Sequence, residues 1–97
     1  MLKSKKPTID KNEIPIITNH YNFRVLYALL YSSHPNMLRK CAKIEDMSMV
    51  QFSLDMLSQY KFVKKIEDTD EYGLTEKGLL ATKYLRSHGF RICKFHS

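Results

Sequence analysis

The apolar positions of this chain change rhythm several times along its 97 residues, and each change marks an element. Between 19 and 33, Phe23, Leu26, Tyr27 and Leu30 recur at helical spacing, with Val25 and Leu29 widening the stripe. A stripe that broad predicts a helix packed on both sides. Asn19 is placed to cap it and His34-Pro35 to stop it, because the residue before a proline is driven out of helical conformation. Asn36 is the expected cap of a second helix through "MLRKCAKI", with Leu38, Cys41, Ala42 and Ile44 facing inward. After the polar break "EDM", Ser48 and Gln51 stand at capping-box spacing and predict a third helix to Tyr60. Its inward positions are Val50, Leu54 and Leu57, which turns Ser48, Gln51, Phe52, Asp55, Ser58 and Gln59 outward.

The period then shortens. "KFVKKI" and "EYGLT" read as two short strands joined by a polar loop, hence a hairpin. Thr75 caps a fourth helix, "EKGLLATKYLRSH", and Gly89 is its expected stop. Leu80, Ala81, Tyr84 and Leu85 make that helix's inner face, while Leu79 lies on the other side between Lys83 and Arg86. The tail "FRICKFHS" is open to two readings, a strand or a continued helix. Residues 1–18, with two prolines and clustered lysines, read as a flexible basic arm in which "IPIIT" docks as an edge strand. The expected class is mainly α with a small antiparallel β-hairpin, an α+β fold with one domain over 19–89 and a tail over 90–97.

Composition narrows the partner. The chain is an ordinary globular one, 43% hydrophobic and 27% charged, with a formal net charge of +6. That balance favours a polyanion. Its distribution is uneven: residues 77–97 carry five cations and no acid, whereas Glu67, Asp68, Asp70 and Glu71 crowd the hairpin loop. Further cations stand at Lys3, Lys5 and Lys6 in the arm and at Arg39, Lys40 and Lys43 in the second helix. "VLYALLY", the longest apolar run, is too short to span a bilayer, and the first residues lack the apolar core of a signal peptide. An intracellular, cytoplasmic protein is expected, with Cys41 and Cys93 reduced, although an intersubunit bridge through Cys93 stays open.

Catalytic chemistry finds few candidates. His20, His34, His88 and His96 show no paired ligand spacing, and Cys93 with His96 is a lone Cys-x-x-His. The three glycines make no phosphate-binding loop. No metal, cofactor, small-molecule ligand or enzymatic activity is expected.

The stretch Tyr72-Gly73-Leu74-Thr75-Glu76-Lys77-Gly78 resembles the aromatic-x-Leu-Thr-x-x-Gly signature of the winged helix-turn-helix family, and the chain looks most like its small archaeal DNA-binding members. The upstream "LRKCAKIEDMSMVQFSLDMLSQYKFV" fits the helix-turn-helix of that family, so the resemblance covers residues 20–88. It implies the order helix, helix, turn, helix, strand, wing, strand, helix. It also implies binding of double-stranded DNA, as a transcriptional regulator or architectural factor, with the third helix in the major groove. On these residues Arg39, Lys40 and Lys43 meet phosphates, Ser48, Gln51, Phe52 and Gln59 meet the groove, and Lys3, Lys5 and Lys6 follow as an arm. Family members dimerise through terminal helices, which singles out Leu79, Phe90, Ile92 and Phe95 as a homodimer contact, the alternative being a monomer whose tail folds back on its own core. The third helix carries no Lys or Arg, so base readout should be limited, and the acidic wing should stay off the phosphates. The alternative is a protein-interaction module that uses Phe52 and the acidic wing.

Overall fold

The computed structural model describes residues 8–92; Lys3, Lys5, Lys6, Cys93, Phe95 and His96 lie outside the described residues. The elements are α1 (Ile14–Ile17), α2 (Asn22–Ala28), α3 (Pro35–Ala42), α4 (Met47–Gln59), β1 (Val63–Lys65), β2 (Tyr72–Leu74) and α5 (Glu76–Ser87). A 3-10 turn over Lys11–Glu13 leads into α1. The described chain is thus mainly helical with a two-stranded antiparallel sheet, in the register Val63 to Leu74, Lys64 to Gly73 and Lys65 to Tyr72.

Helix α2 touches α1, α3, α4 and α5. Its Val25 and Leu26 are fully buried in one core with Leu38, Leu54, Leu57, Phe62 and Leu85. One polar link crosses this core: the Ser53 hydroxyl donates to Asn22 Oδ1 at 2.7 Å, and the Asn22 amide donates to the Ile16 carbonyl at 2.9 Å. A buried amide with both ends satisfied bridges α1, α2 and α4, and its hydrogen bonds offset the cost of taking it out of water.

Several element boundaries fall elsewhere than the pattern predicts. The segment "IPIIT" is a helical turn, not an edge strand, and Ile17 is buried in the core. The cause is local: the Asp10 N–H donates to Glu13 Oε1 at 3.1 Å and opens a turn, and Pro15 suits the first turn of the helix that follows. Helix α2 begins at Asn22 with Tyr21 in the cap position and no side-chain bond from it; Asn19 stands in the turn before, where its side chain accepts from the Tyr21 and Asn22 N–H groups at 2.9 and 3.2 Å. That helix also ends at Ala28, five residues short of expectation, because Leu30 and Tyr31 bond to carbonyls three residues back and tighten the last turn. In α3 the cap is His34 instead of Asn36, since Pro35 has no N–H to satisfy and takes the first helical position. In α4 the cap is Asp46 instead of Ser48: its carboxylate accepts from both the N–H and the hydroxyl of Ser48, at 3.0 and 2.8 Å. A carboxylate at a helix N-terminus also meets the positive end of the dipole.

Three helices end in the same way. After α3, Lys43 turns left-handed at φ 58°, its N–H bonds to Lys40, and the Ile44 N–H reaches back to Arg39 at 3.1 Å. After α4, Lys61 at φ 69° is followed by Phe62, whose N–H bonds to Leu57 at 2.9 Å. After α5, Gly89 at φ 83° is followed by Phe90, bonded to Leu85 at 2.9 Å. In each case the left-handed residue turns the next, apolar one into the core. Glycine occupies this position only once; lysine does so twice.

Candidate nucleic-acid interface

Outward on α4 lie Ser48, Gln51, Phe52, Asp55 and Gln59, all exposed, with Phe52 at 58% of its free surface. This face is what the burial of Val50, Leu54 and Leu57 leaves over. Its polar groups are partly engaged. Gln51 Nε2 donates to Asp55 Oδ1 at 3.0 Å and to the Tyr72 hydroxyl at 3.2 Å, which ties α4 to the second strand of the hairpin. The Ser48 hydroxyl is held by Asp46, and the same bonds hold the Asp46 carboxyl below the usual carboxylate range. Phe52 and Gln59 have no such tether among the described residues.

The hairpin is anchored at its base and open at its tip. The Tyr72 N–H donates to the Ser33 carbonyl at 2.9 Å, and the Ser33 hydroxyl donates to Glu71 at 2.8 Å, so the link between α2 and α3 lies beside β2. Glu67, Asp68 and Asp70 are exposed at the tip, and Lys64 and Lys65 are exposed on β1. Between tip, α4 and the start of α3 is a polar hollow of about 400 Å³ lined by residues including Gln51, Lys65, Asp70 and His34.

The cations of α3 divide. Lys40 is exposed. Arg39 is half-buried and turned back onto the α3–α4 connection, its Nη1 at 3.4 Å from the Glu45 carbonyl and 3.5 Å from that of Ile44. Lys43 lies one residue beyond the helix, its carbonyl accepting from Arg24 at 3.2 Å, and it lines a second cleft together with Arg86 and Arg91. Lys77 is committed internally: its Nζ donates to Glu13 at 2.7 Å and to the Tyr60 carbonyl at 2.8 Å, and lies 4.7 Å from the centre of the Phe62 ring. Burial raises the Glu13 carboxyl, but the Lys77 and Asp10 hydrogen bonds outweigh it and leave its pKa lowered.

Of the expected dimer contacts, Leu79 is 46% exposed. Phe90 instead packs edge-on against Phe23 with ring centres 5.4 Å apart, and its carbonyl accepts from the Tyr27 hydroxyl. Ile92 is half-buried and Phe95 is outside the described residues. For Phe90 the structure takes the alternative reading, a tail folded back on its own core, and Gly89 before an aromatic was the signal for it. Among the described residues no group of His, Cys, Asp and Glu could hold a metal ion, and no helix is long and apolar enough to cross a membrane.

No family model matches the chain, and neither does any curated protein or any solved structure.

Proposed function

We propose that the chain is a winged helix-turn-helix that binds double-stranded DNA as a regulator or architectural factor, with α3 against the backbone and α4 toward the major groove. The observation that carries this reading is the exposed polar face of α4, set beside a hairpin whose second strand it touches through Gln51 and Tyr72. Lys40 and Lys43 then contribute phosphate contacts, with Arg39 acting mainly to shape the turn between the helices. The side chains of the α4 face include a single acid and no base, so affinity comes largely from the backbone of the duplex. The tip of the hairpin, with its three exposed acids, is held away from phosphate. Dimerisation, if it accompanies DNA binding, falls to Leu79 and the tail beyond Phe90.

Duplex affinity measured against salt tests this. Affinity should fall steeply, with a log–log slope of about −0.9 per phosphate contact. Lys40→Glu with Lys43→Glu should abolish binding. Lys43→Gly removes one charge at a left-handed position that glycine accepts, so it should leave the fold intact and flatten the slope by about 0.9. Absence of duplex binding at low salt would remove this reading. A second reading, a protein-interaction module, is favoured by the exposed Phe52 ring next to an acidic hairpin tip.

A further inference from the structure

The end of α2, the end of α3 and the chain after α5 border an open cleft of about 570 Å³, within the range of small-ligand sites. Lys43, Arg86 and Arg91 line it from the basic side, and Tyr27, Tyr31 and Phe90 supply rings; no carboxylate among the described residues lines it. Tyr31 is 80% exposed, an aromatic surface that folding leaves uncovered. Arg86 and Arg91 are exposed and make no side-chain hydrogen bond or ion pair among the described residues. Both bear on one point of the cleft: burial raises the pKa of the Tyr27 phenol, and the charges of these two arginines oppose that rise.

We infer that this cleft is a binding site for a nucleoside phosphate, with Arg86 and Arg91 on the phosphates and Tyr31 stacked on the base. Cations alone would suit any polyanion, and rings alone any apolar ligand. Their combination in one cleft selects a planar ring that carries negative charge. Guanidinium forks match phosphate oxygens in pairs, and an exposed tyrosine stacks on any base. The site departs from the expectation of no small-molecule ligand, and it is separate from the α4 face. It nevertheless adjoins the connection that aims α4, because Lys43 lines the cleft while its carbonyl is held by Arg24.

The test is calorimetric titration of the full chain with ATP, adenosine and inorganic phosphate in parallel, in the absence of DNA. ATP should bind, with adenosine and phosphate each at least about tenfold weaker, the scale of one lost charged hydrogen bond or one lost stack. Arg86→Glu and Arg91→Glu should each weaken ATP by about tenfold or more. Tyr31→Ala should weaken ATP by about tenfold and leave phosphate unchanged. Thermal melting of each variant checks that these exposed positions have not altered the fold. No ATP binding, equal binding by the arginine variants, or phosphate binding as tightly as ATP would each overturn the site. A single-stranded oligonucleotide that bound much more tightly than ATP at the same residues would overturn it too, assigning the cleft to nucleic acid. Because no duplex is present, the outcome is independent of the DNA reading.

Discussion

The base of the hairpin and its tip are a few residues apart and obey different rules. At the base, the buried positions are tightly constrained. Phe62 and Val63 are buried, and the Thr75 hydroxyl reaches the Lys61 and Phe62 carbonyls while accepting from the Gly78 N–H at 3.0 Å. A Cβ on Gly78 would lie 2.1 Å from the Phe62 carbonyl oxygen. At the tip, Glu67, Asp68 and Asp70 face solvent, and the loop is closed by its own backbone, from Ile66 to Glu71, with help from the Thr69 hydroxyl. Packing therefore dictates the buried residues of the base, whereas the charge of the tip is free of the fold.

The harshest way to break this contrast is Gly78→Ala. Backbone stands where the methyl must go, so a loss of more than about 3 kcal/mol is expected, read as a collapse of the urea midpoint. A mild effect would mean that α5 can slide along the hairpin. Next comes Lys77→Met, which keeps an apolar stem near Phe62 and leaves Glu13 with only the Asp10 N–H as a partner. It should lose about 1–2 kcal/mol at neutral pH, since a half-buried charged hydrogen bond is broken. The Glu13 carboxyl is lowered in the fold, so its contribution is present above the ordinary carboxylate value and is lost as pH falls through the folded one. The gap between wild type and variant should therefore close below about pH 4; a gap that persists would place the effect in the Tyr60 contact instead. The smallest effect belongs to the tip. Glu67→Gln, Asp68→Asn and Asp70→Asn together should change stability by less than about 0.5 kcal/mol, and duplex affinity should hold or rise. Weaker duplex binding would show that the tip does touch the nucleic acid's surroundings after all.

This difference also governs what could be read from sequence. "YGLTEKG" was legible because Tyr72, Thr75 and Gly78 each have one geometric task, and the structure places all three in it. The inward residues of α4 were legible for the same reason. The caps were harder, since neighbours compete: Asp46 and Ser48 can both begin a helix, and the charged group wins. The turn before α1 was missed although Asp10 and Glu13 stand at capping-box spacing, because the prolines and lysines around them read as an arm. The basic cleft had no sequence signature at all. Tyr31, Lys43, Arg86 and Arg91 come from three separate segments, and only tertiary assembly brings them together.

The repeated helix ending separates two properties that usually travel together. A lysine held left-handed is strained in the native state, yet it gives the unfolded chain less freedom than glycine would. With those effects opposed, the backbone at Lys43 and at Lys61 accepts glycine without added strain. At both positions, drift over generations can therefore adjust the electric character of the molecule's surface while its architecture stays fixed.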